Sequence, residues 1–196
     1  MANVLWTAGV DEAGRGCLAG PVIAAAVLWP DELTLTGLTD SKALNATRRD
    51  ALREELEDLL PKDSWAIGSA SPEEIDDINI LQATYLAMHR AIAQLRPEPD
   101  LLLIDGNRFK AYKEIPFRCE IKGDARFQSI SAASIFAKTE RDRIMLAAHA
   151  QHPEYDWDRN KGYPSPGHKE ALMQHGATAF HRKSFKWRPS QLSLDF

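Results

Sequence analysis

Apolar and polar positions along this 196-residue chain switch between two periods, one suited to strands and one to helices. Residues 4–10 and 21–29 are apolar runs of strand length. A short glycine-rich turn joins them, which predicts an antiparallel hairpin. Residues 45–60 carry Leu52, Leu56, Leu59 and Leu60 at helical spacing, with Pro61 as the stop. Residues 65–70 return to strand character. Residues 72–77 open a short acidic helical turn. Leu81, Tyr85, Met88, Ile92 and Leu95 then make a long amphipathic stripe that ends before Pro97. Residues 101–104 form an unbroken apolar run, as in a buried strand, and Asp105-Gly106 closes it. A shorter strand is expected over 117–121 and a helix over 128–150, whose first half is rich in small residues able to approach a sheet closely. Residues 152–166 read as a loop, 167–175 as a further helix, and 190–196 as a loosely held end.

Strand pairs first and strand–helix alternation afterwards predict an α/β fold: a mixed sheet with helices on both faces and a small C-terminal helical appendage. The expected division is a core over 1–150, a basic helical extension over 151–189 packed on it, and a tail over 190–196. The 44% hydrophobic content is enough for one buried core. Net charge is -4, so the total does not announce a nucleic-acid partner, but its distribution is uneven. Residues 31–77 hold 13 acids against 5 Lys/Arg, whereas residues 159–188 hold 7 Lys/Arg against Glu170 alone. Such segregation gives one electropositive face suited to phosphates. Cys17 and Cys119 have no metal-like spacing and are expected to be reduced, as in a cytosolic protein. No signal-peptide pattern opens the chain, and the run at 21–29 is too short to span a bilayer. A soluble, cytoplasmic monomer with no membrane partner is the expectation.

The candidate chemistry lies in the acids. Asp11-Glu12 ends the first apolar run and leads straight into Ala13-Gly14-Arg15-Gly16. Adjacent carboxylates repel unless a cation sits beside them. Glycines let backbone N–H groups come close to a ligand. Asp105 ends a second apolar run. If the two strands are parallel neighbours, both carboxylates emerge at the same sheet edge, where α/β proteins place ligands. Glu12 points to the other face of a regular strand, although the turn at Gly14 could re-aim it. Asp124, in Lys122-Gly123-Asp124, lies between a strand and a helix, where it would also serve as an ordinary cap. Four acids could hold two Mg²⁺ or Mn²⁺ ions roughly 3.5–4 Å apart, an arrangement suited to phosphodiester hydrolysis because charge builds on both apical oxygens. The calcium loop pattern Asp-x-Asp-x-Asp-Gly with a closing Glu is absent.

The ordered motifs Gly9-Val10-Asp11-Glu12-Ala13-Gly14-Arg15-Gly16, Asp40-Ser41-Lys42, Ile104-Asp105-Gly106, Lys122-Gly123-Asp124, Ser131-Ala132-Ala133-Ser134-Ile135 with Ala137-Lys138, Arg141-Asp142 and Gly162-Tyr163-Pro164 resemble those of bacterial ribonuclease HII. The resemblance runs from about residue 9 to residue 187. It implies a ribonuclease H-like fold and a metal-dependent endonuclease acting on the RNA of RNA–DNA hybrids. It also implies incision at single ribonucleotides in duplex DNA, as in ribonucleotide excision repair. Carried over by position, Asp11, Glu12, Asp105 and Asp124 correspond to the catalytic, metal-binding acids, with Asp142 an alternative to Asp124. Gly14, Arg15 and Gly16 correspond to the loop that reads the ribose 2′-hydroxyl, a group that both donates and accepts. Tyr163 corresponds to the residue packed against the following deoxyribose. Ser41, Lys42, Ser134 and Lys138 are candidate backbone contacts. Arg159, Lys161, Arg182, Lys183 and Lys186 are further candidate phosphate contacts. His168 and His181 are expected to pack or to meet phosphate rather than to ligate a metal.

The last six residues resemble the short peptide by which bacterial proteins dock on the sliding clamp. Gln191 would be the anchor, with Leu192, Leu194 and Phe196 as apolar contacts. Two rival readings share part of this evidence: a junction resolvase on the same sheet architecture, and a non-catalytic binding module tethered to the clamp.

Overall fold

A computed structural model describes residues 5–30, 32–38 and 44–186. The Asp40-Ser41-Lys42 motif and the C-terminal peptide lie outside these residues. Five strands form one mixed sheet: β1 (Thr7–Ala13), β2 (Val22–Leu28), β3 (Trp65–Ala70), β4 (Leu101–Asp105) and β5 (Phe117–Glu120), in the order β3-β2-β1-β4-β5. β1, β2 and β3 pair antiparallel, while β1 with β4 and β4 with β5 pair parallel. The helices are α1 (Ala46–Leu59), α2 (Pro72–Ile92), α3 (Gln128–Gln151), α4 (Trp157–Asn160) and α5 (Pro166–His175). Among the described residues no helix is long and apolar enough to cross a membrane.

The sheet is covered on both faces, and strand alternation decides which residue meets which helix. Ala8, Val10, Val22, Ala24, Ala26, Leu28, Leu102 and Ile104 pack with Tyr85, Met88 and Ile92 of α2. Ile23, Ala25 and Val27 face the other way, toward Leu52 and Leu56 of α1 and Ala133, Phe136 and Ala137 of α3. Every residue of β2 is therefore buried. Trp65 stacks on Phe136 with ring centroids 4.2 Å apart, tying β3 to α3.

The helices begin where local chemistry allows. Asn45 caps α1 by accepting from the Arg48 N–H at 2.9 Å. Ser71 and Glu74 form a reciprocal capping box on α2, with Pro72 in the first turn. The acidic turn and the amphipathic stripe are two helical pieces of α2: Asn79, with φ of 66°, breaks helical geometry, and its Oδ1 accepts from the Leu81 and Gln82 N–H groups to start the second piece. Leu59 departs from the expected apolar face of α1: it is exposed, whereas Leu52, Leu56 and Leu60 are buried.

β1 differs most from expectation. It starts at Thr7 and continues through Asp11 and Glu12 to Ala13. Its pairing with β2 persists along the acids, Asp11 opposite Ala25 and Glu12 opposite Ala24. A completed ladder outweighs the poor strand preference of acidic residues. The segment read as a loop over 152–166 contains a tight turn at Pro153–Tyr155 and the single-turn α4. Trp157, Tyr155 and Leu172 are buried there with Met145 and Ala148 of α3.

One glycine sets how closely α3 lies on the sheet. A Cβ at Gly9 would stand 2.3 Å from the Ser129 carbonyl carbon and 2.4 Å from the Ile130 nitrogen. No side chain fits there unless the N-terminal end of α3 lifts off β1.

Candidate active site

Asp11 and Asp105 share a sheet face because of the parallel β1–β4 ladder. Val10 pairs with Ile104, so the next residue along each strand is an aspartate. Val10 and Ile104 face α2; Asp11 and Asp105 therefore face α3. Asp124 arrives from a tight turn, Gly123–Ala125, between β5 and α3. One carboxylate oxygen from each of the three aspartates lies within 4.8 Å of the others.

The surroundings hold this arrangement from the backbone side. The Gly123 N–H donates to Asp105 Oδ1 at 2.9 Å. The Glu12 N–H donates to Asp11 Oδ1 at 2.7 Å. The Ser131 hydroxyl donates to the Asp124 carbonyl, pinning the turn to the first turns of α3. Ser134, one helical turn later, hydrogen-bonds Asp11.

Asp11 and Asp124 are buried, with 3% and 5% of their surface exposed. Burial pushes the Asp11 carboxyl well above the usual aspartate range, and the charges of Glu12 and Asp105 push it further. The Ser134 hydroxyl and the Glu12 N–H oppose the rise only in part. Two carboxylates about 4.8 Å apart repel by about 3–4 kcal/mol at an effective dielectric of about 20. Three such pairs call for compensation. The donor set is all oxygen, which suits a hard divalent cation. Opposite ligand oxygens around an octahedral magnesium stand about 4.2 Å apart. Adjacent ones stand about 3 Å apart. Three ligands must include adjacent pairs, so the aspartates, whose oxygens lie within 4.8 Å of one another, would draw together on such an ion.

Glu12 stands apart from the three. Strand alternation turns it from Asp11, and its Oε1 accepts from Arg15 Nη1 at 3.1 Å. It is still close enough to raise Asp11 and lines the neighbouring cavity. Asp142 is about two turns beyond Ser134 along α3, bonded to Lys138 at 2.7 Å and 3.7 Å from Arg49. It lies outside the three-carboxylate group, and Asp124 lies within it.

Beside the aspartates opens a cavity of about 220 Å³ lined by Glu12, Ala13, Gly14, Arg15, Gly16, Ser134, Lys138 and Tyr163. Six of the residues singled out as substrate contacts meet there: Gly14, Arg15 and Gly16 on one wall, Ser134 and Lys138 on α3, and the half-exposed Tyr163 opposite. Lys138 Nζ lies 6.0 Å from the Tyr163 ring centre. Ser134 joins the two parts, since it touches Asp11 and lines the cavity.

Arg182 corrects an expectation. Expected to meet phosphate, it is 1% exposed and its guanidinium donates to the Gly14 and Arg15 carbonyls at 2.7 and 2.9 Å. Arg141, also 1% exposed, donates to the Ala19 and Lys161 carbonyls at 2.9 and 2.7 Å. A Cβ on Gly14, whose φ is +93°, would stand 2.0 Å from Arg141 Nε. The loop-holding role of these two buried arginines leaves no signal in the sequence. A lone basic residue reads as surface, and only the burial of loop carbonyls reveals its use. Arg159, Lys183 and Lys186 are exposed. The Lys161 ammonium donates to the Asp158 carbonyl.

A mixed five-stranded sheet that gathers aspartates from two parallel strands and the head of the next helix defines a nuclease of the ribonuclease H-like class. A family model described as Ribonuclease HII matches residues 8–188. A protein from Christiangramia forsetii named Ribonuclease HII is 51% identical over 189 residues, covering 96% of this chain and 94% of its own. The crystal structure of ribonuclease H2 from Pyrococcus horikoshii superposes with a TM-score of 0.78 at 28% identity, covering 93% of this chain and 95% of that one. The ribonuclease HII in a complex with PCNA from Archaeoglobus fulgidus superposes with a TM-score of 0.73 at 26% identity, covering 96% and 98%. This chain belongs to the ribonuclease HII family and is an endoribonuclease. Membership implies cleavage of the RNA in RNA–DNA hybrids and dependence on a divalent metal.

The raised Asp11 carboxyl has a measurable consequence. The folded protein holds this proton more tightly than the unfolded chain does. Stability from this group therefore falls as pH climbs from the ordinary aspartate range, near 3.9, toward the raised value. In EDTA at pH 7, Asp11→Asn is expected to melt about 2–4 °C above wild type, the shift for about 1 kcal/mol in a chain this long. The gap should close below about pH 4. Added Mn²⁺ should raise the melting temperature of wild type more than that of the variant. A variant less stable than wild type in EDTA at neutral pH would show that a fixed partner already compensates this carboxylate.

Proposed function

We propose that this protein hydrolyses the RNA strand of RNA–DNA hybrids and incises at single ribonucleotides embedded in duplex DNA, leaving a 5′-phosphate and a 3′-hydroxyl. The observation that carries the reading is the junction at Ser134: one residue touches the aspartate group and lines a cavity walled by a glycine turn and an aromatic ring. Asp11, Asp105 and Asp124, with Glu12 at their edge, would hold Mg²⁺ or Mn²⁺, two ions in the full complex. Bound there, the metal supplies activation of water and neutralisation of charge on the attacking and leaving oxygens.

The chain's own residues supply recognition. The glycine-flanked turn at Gly14, Arg15 and Gly16 would present backbone groups to a 2′-hydroxyl. The Tyr163 ring favours a sugar without that hydroxyl on the next nucleotide, so the two together read the step from RNA to DNA. Lys138, and Ser41 and Lys42 from the segment outside the described residues, would position phosphates without reading bases. The basic residues beyond 150 would extend this contact, as a C-terminal extension of the 1–150 core. The protein is read as a cytoplasmic monomer acting in ribonucleotide excision repair.

The test is a duplex carrying one internal ribonucleotide, incubated with Mg²⁺ or Mn²⁺ and with EDTA. One nick on the 5′ side of the ribonucleotide–DNA junction, ligatable without phosphatase or kinase treatment and lost in EDTA, is the expected result. Tyr163→Ala should lose about tenfold or more on this substrate, and clearly less on a continuous hybrid. Cleavage of the duplex only when it contains a four-way junction would overturn the reading in favour of a resolvase. Binding without hydrolysis under either metal would leave a non-catalytic module.

Gln191, Leu192, Leu194 and Phe196 are read as a sliding-clamp peptide, in keeping with the clamp complex of the archaeal relative. Removing residues 191–196 should abolish retention on immobilised clamp and leave nicking of a short duplex unchanged. Retention by the shortened protein would refute the assignment.

A further inference from the structure

The two walls of the cavity come from distant parts of the chain, and one dipeptide reaches both. The segment around residue 181 runs antiparallel to the glycine-rich loop: Ala19 bridges His181, the Gly20 N–H donates to the Phe180 carbonyl at 2.8 Å, and the Arg182 N–H donates to the Leu18 carbonyl at 2.9 Å. From this strip the Arg182 guanidinium holds the loop at both ends. It donates to the Gly14 and Arg15 carbonyls at 2.7 and 2.9 Å, and to the Gly20 and Pro21 carbonyls at 3.0 and 3.2 Å.

His181 works in the other direction. Its Nδ1 accepts the Thr178 N–H at 2.9 Å, so the ring proton sits on Nε2. That N–H meets His168 Nε2 at 3.1 Å, which must then accept. The His168 proton is therefore on Nδ1, which donates to the Tyr163 carbonyl at 2.9 Å. Trp157 Nε1 adds a second donor to His168 Nε2 at 3.1 Å. The relay is self-consistent only with both rings neutral. Burial keeps them so, lowering His168 and bringing His181 to about 4. Both histidines are buried, so neither side chain is placed to meet substrate.

We infer that His181 and Arg182 are positioning residues for the two walls of the cavity: Arg182 sets the glycine turn, on which cleavage at any ribose depends, and His181 sets Tyr163 and with it the selectivity for an RNA-to-DNA step over continuous RNA. This rests on the proposed reading of those two walls. Arg182 fixes the turn. His181 fixes Tyr163 through His168. The hydrogen bonds of both side chains go to loop backbone, Thr178 and His168, away from the reacting atoms. A shift of about 1 Å in either wall is enough to cost up to about a hundredfold in rate.

The experiment is a double-mutant cycle between His181 and Tyr163, read on a single-ribonucleotide duplex and on a continuous hybrid, with kcat and KM separated and melting temperature recorded. His181→Asn keeps an acceptor for Thr178 and is too short to reach His168. His181→Gln can present an N–H near the lost Nε2 position. His181→Asn should lose about tenfold on the single ribonucleotide and no more than about twofold on the hybrid, with His181→Gln recovering most of the loss. In a Tyr163→Ala background, His181→Asn should add less than about twofold, because the two act through one contact. Arg182→Lys should lose on both substrates alike, since the glycine turn meets a ribose in each, and it stands as an independent arm if His181→Asn does not fold. Equal losses for His181→Asn on both substrates, or its full effect persisting in the Tyr163→Ala background, would overturn the role given to His181. Unchanged kinetics for Arg182→Lys would overturn the role given to Arg182. If Tyr163→Ala alone loses equally on both substrates, it is the junction-reading role of Tyr163 that fails.

Discussion

The parallel pairing of β1 with β4 is the constraint on which the rest depends. It sets Asp11 beside Asp105 at the same level of the sheet and on the same face. The ladder would gain nothing functionally if α3 stood further away. Close seating of α3 at Gly9 brings Ser131 and Ser134 down to the acids and the 123–125 turn to within reach of them. The site is thus a product of backbone pairing and close packing, with the side chains oriented by both. The cost is concentrated at Asp11, whose buried carboxyl sits among like charges. A cation restores the balance, so binding and folding draw on the same interaction.

Around this centre the protein uses buried polar groups to hold loops. Arg141 and Arg182 fill the space under the glycine-rich loop with guanidinium groups rather than apolar side chains. Loops expose carbonyls that need donors, and Arg offers five in a fixed fork. An isolated buried guanidinium would be costly, and burial already lowers Arg182 to about 10. The carbonyls it meets on residues 14, 15, 20 and 21 offset that cost and leave the loop with one shape. The histidine pair does for Tyr163 what the arginines do for the glycine turn. The C-terminal segment is in this sense part of the cavity's construction.

Much of the fold could be read from periodicity, because its long elements bury one face or two. β2, β3, β4, α1 and α3 fall within a residue or so of the expected bounds. The departures have identifiable causes. Paired acids at 11 and 12 look like the end of a strand, yet their neighbours in β2 keep the ladder going. α4 has four residues, too few for a helical period to register, and it lies in a stretch rich in Gly and Pro. Leu59 has helical spacing, but the chain leaves helical geometry at Leu60, which takes the buried place at this end of α1 and leaves Leu59 outside. At the site, acids at strand ends and a glycine turn carried enough signal to be singled out together. The buried arginines did not, since most of their partners are carbonyls contributed by residues more than a hundred positions away.

The most direct measurement is anomalous diffraction from crystals of the full chain soaked in Mn²⁺. The account predicts density bridging the carboxylates of Asp11, Asp105 and Asp124, at Mn–O distances of about 2.1–2.3 Å. Manganese bound elsewhere, with these three side chains left uncoordinated at saturating metal, would contradict it.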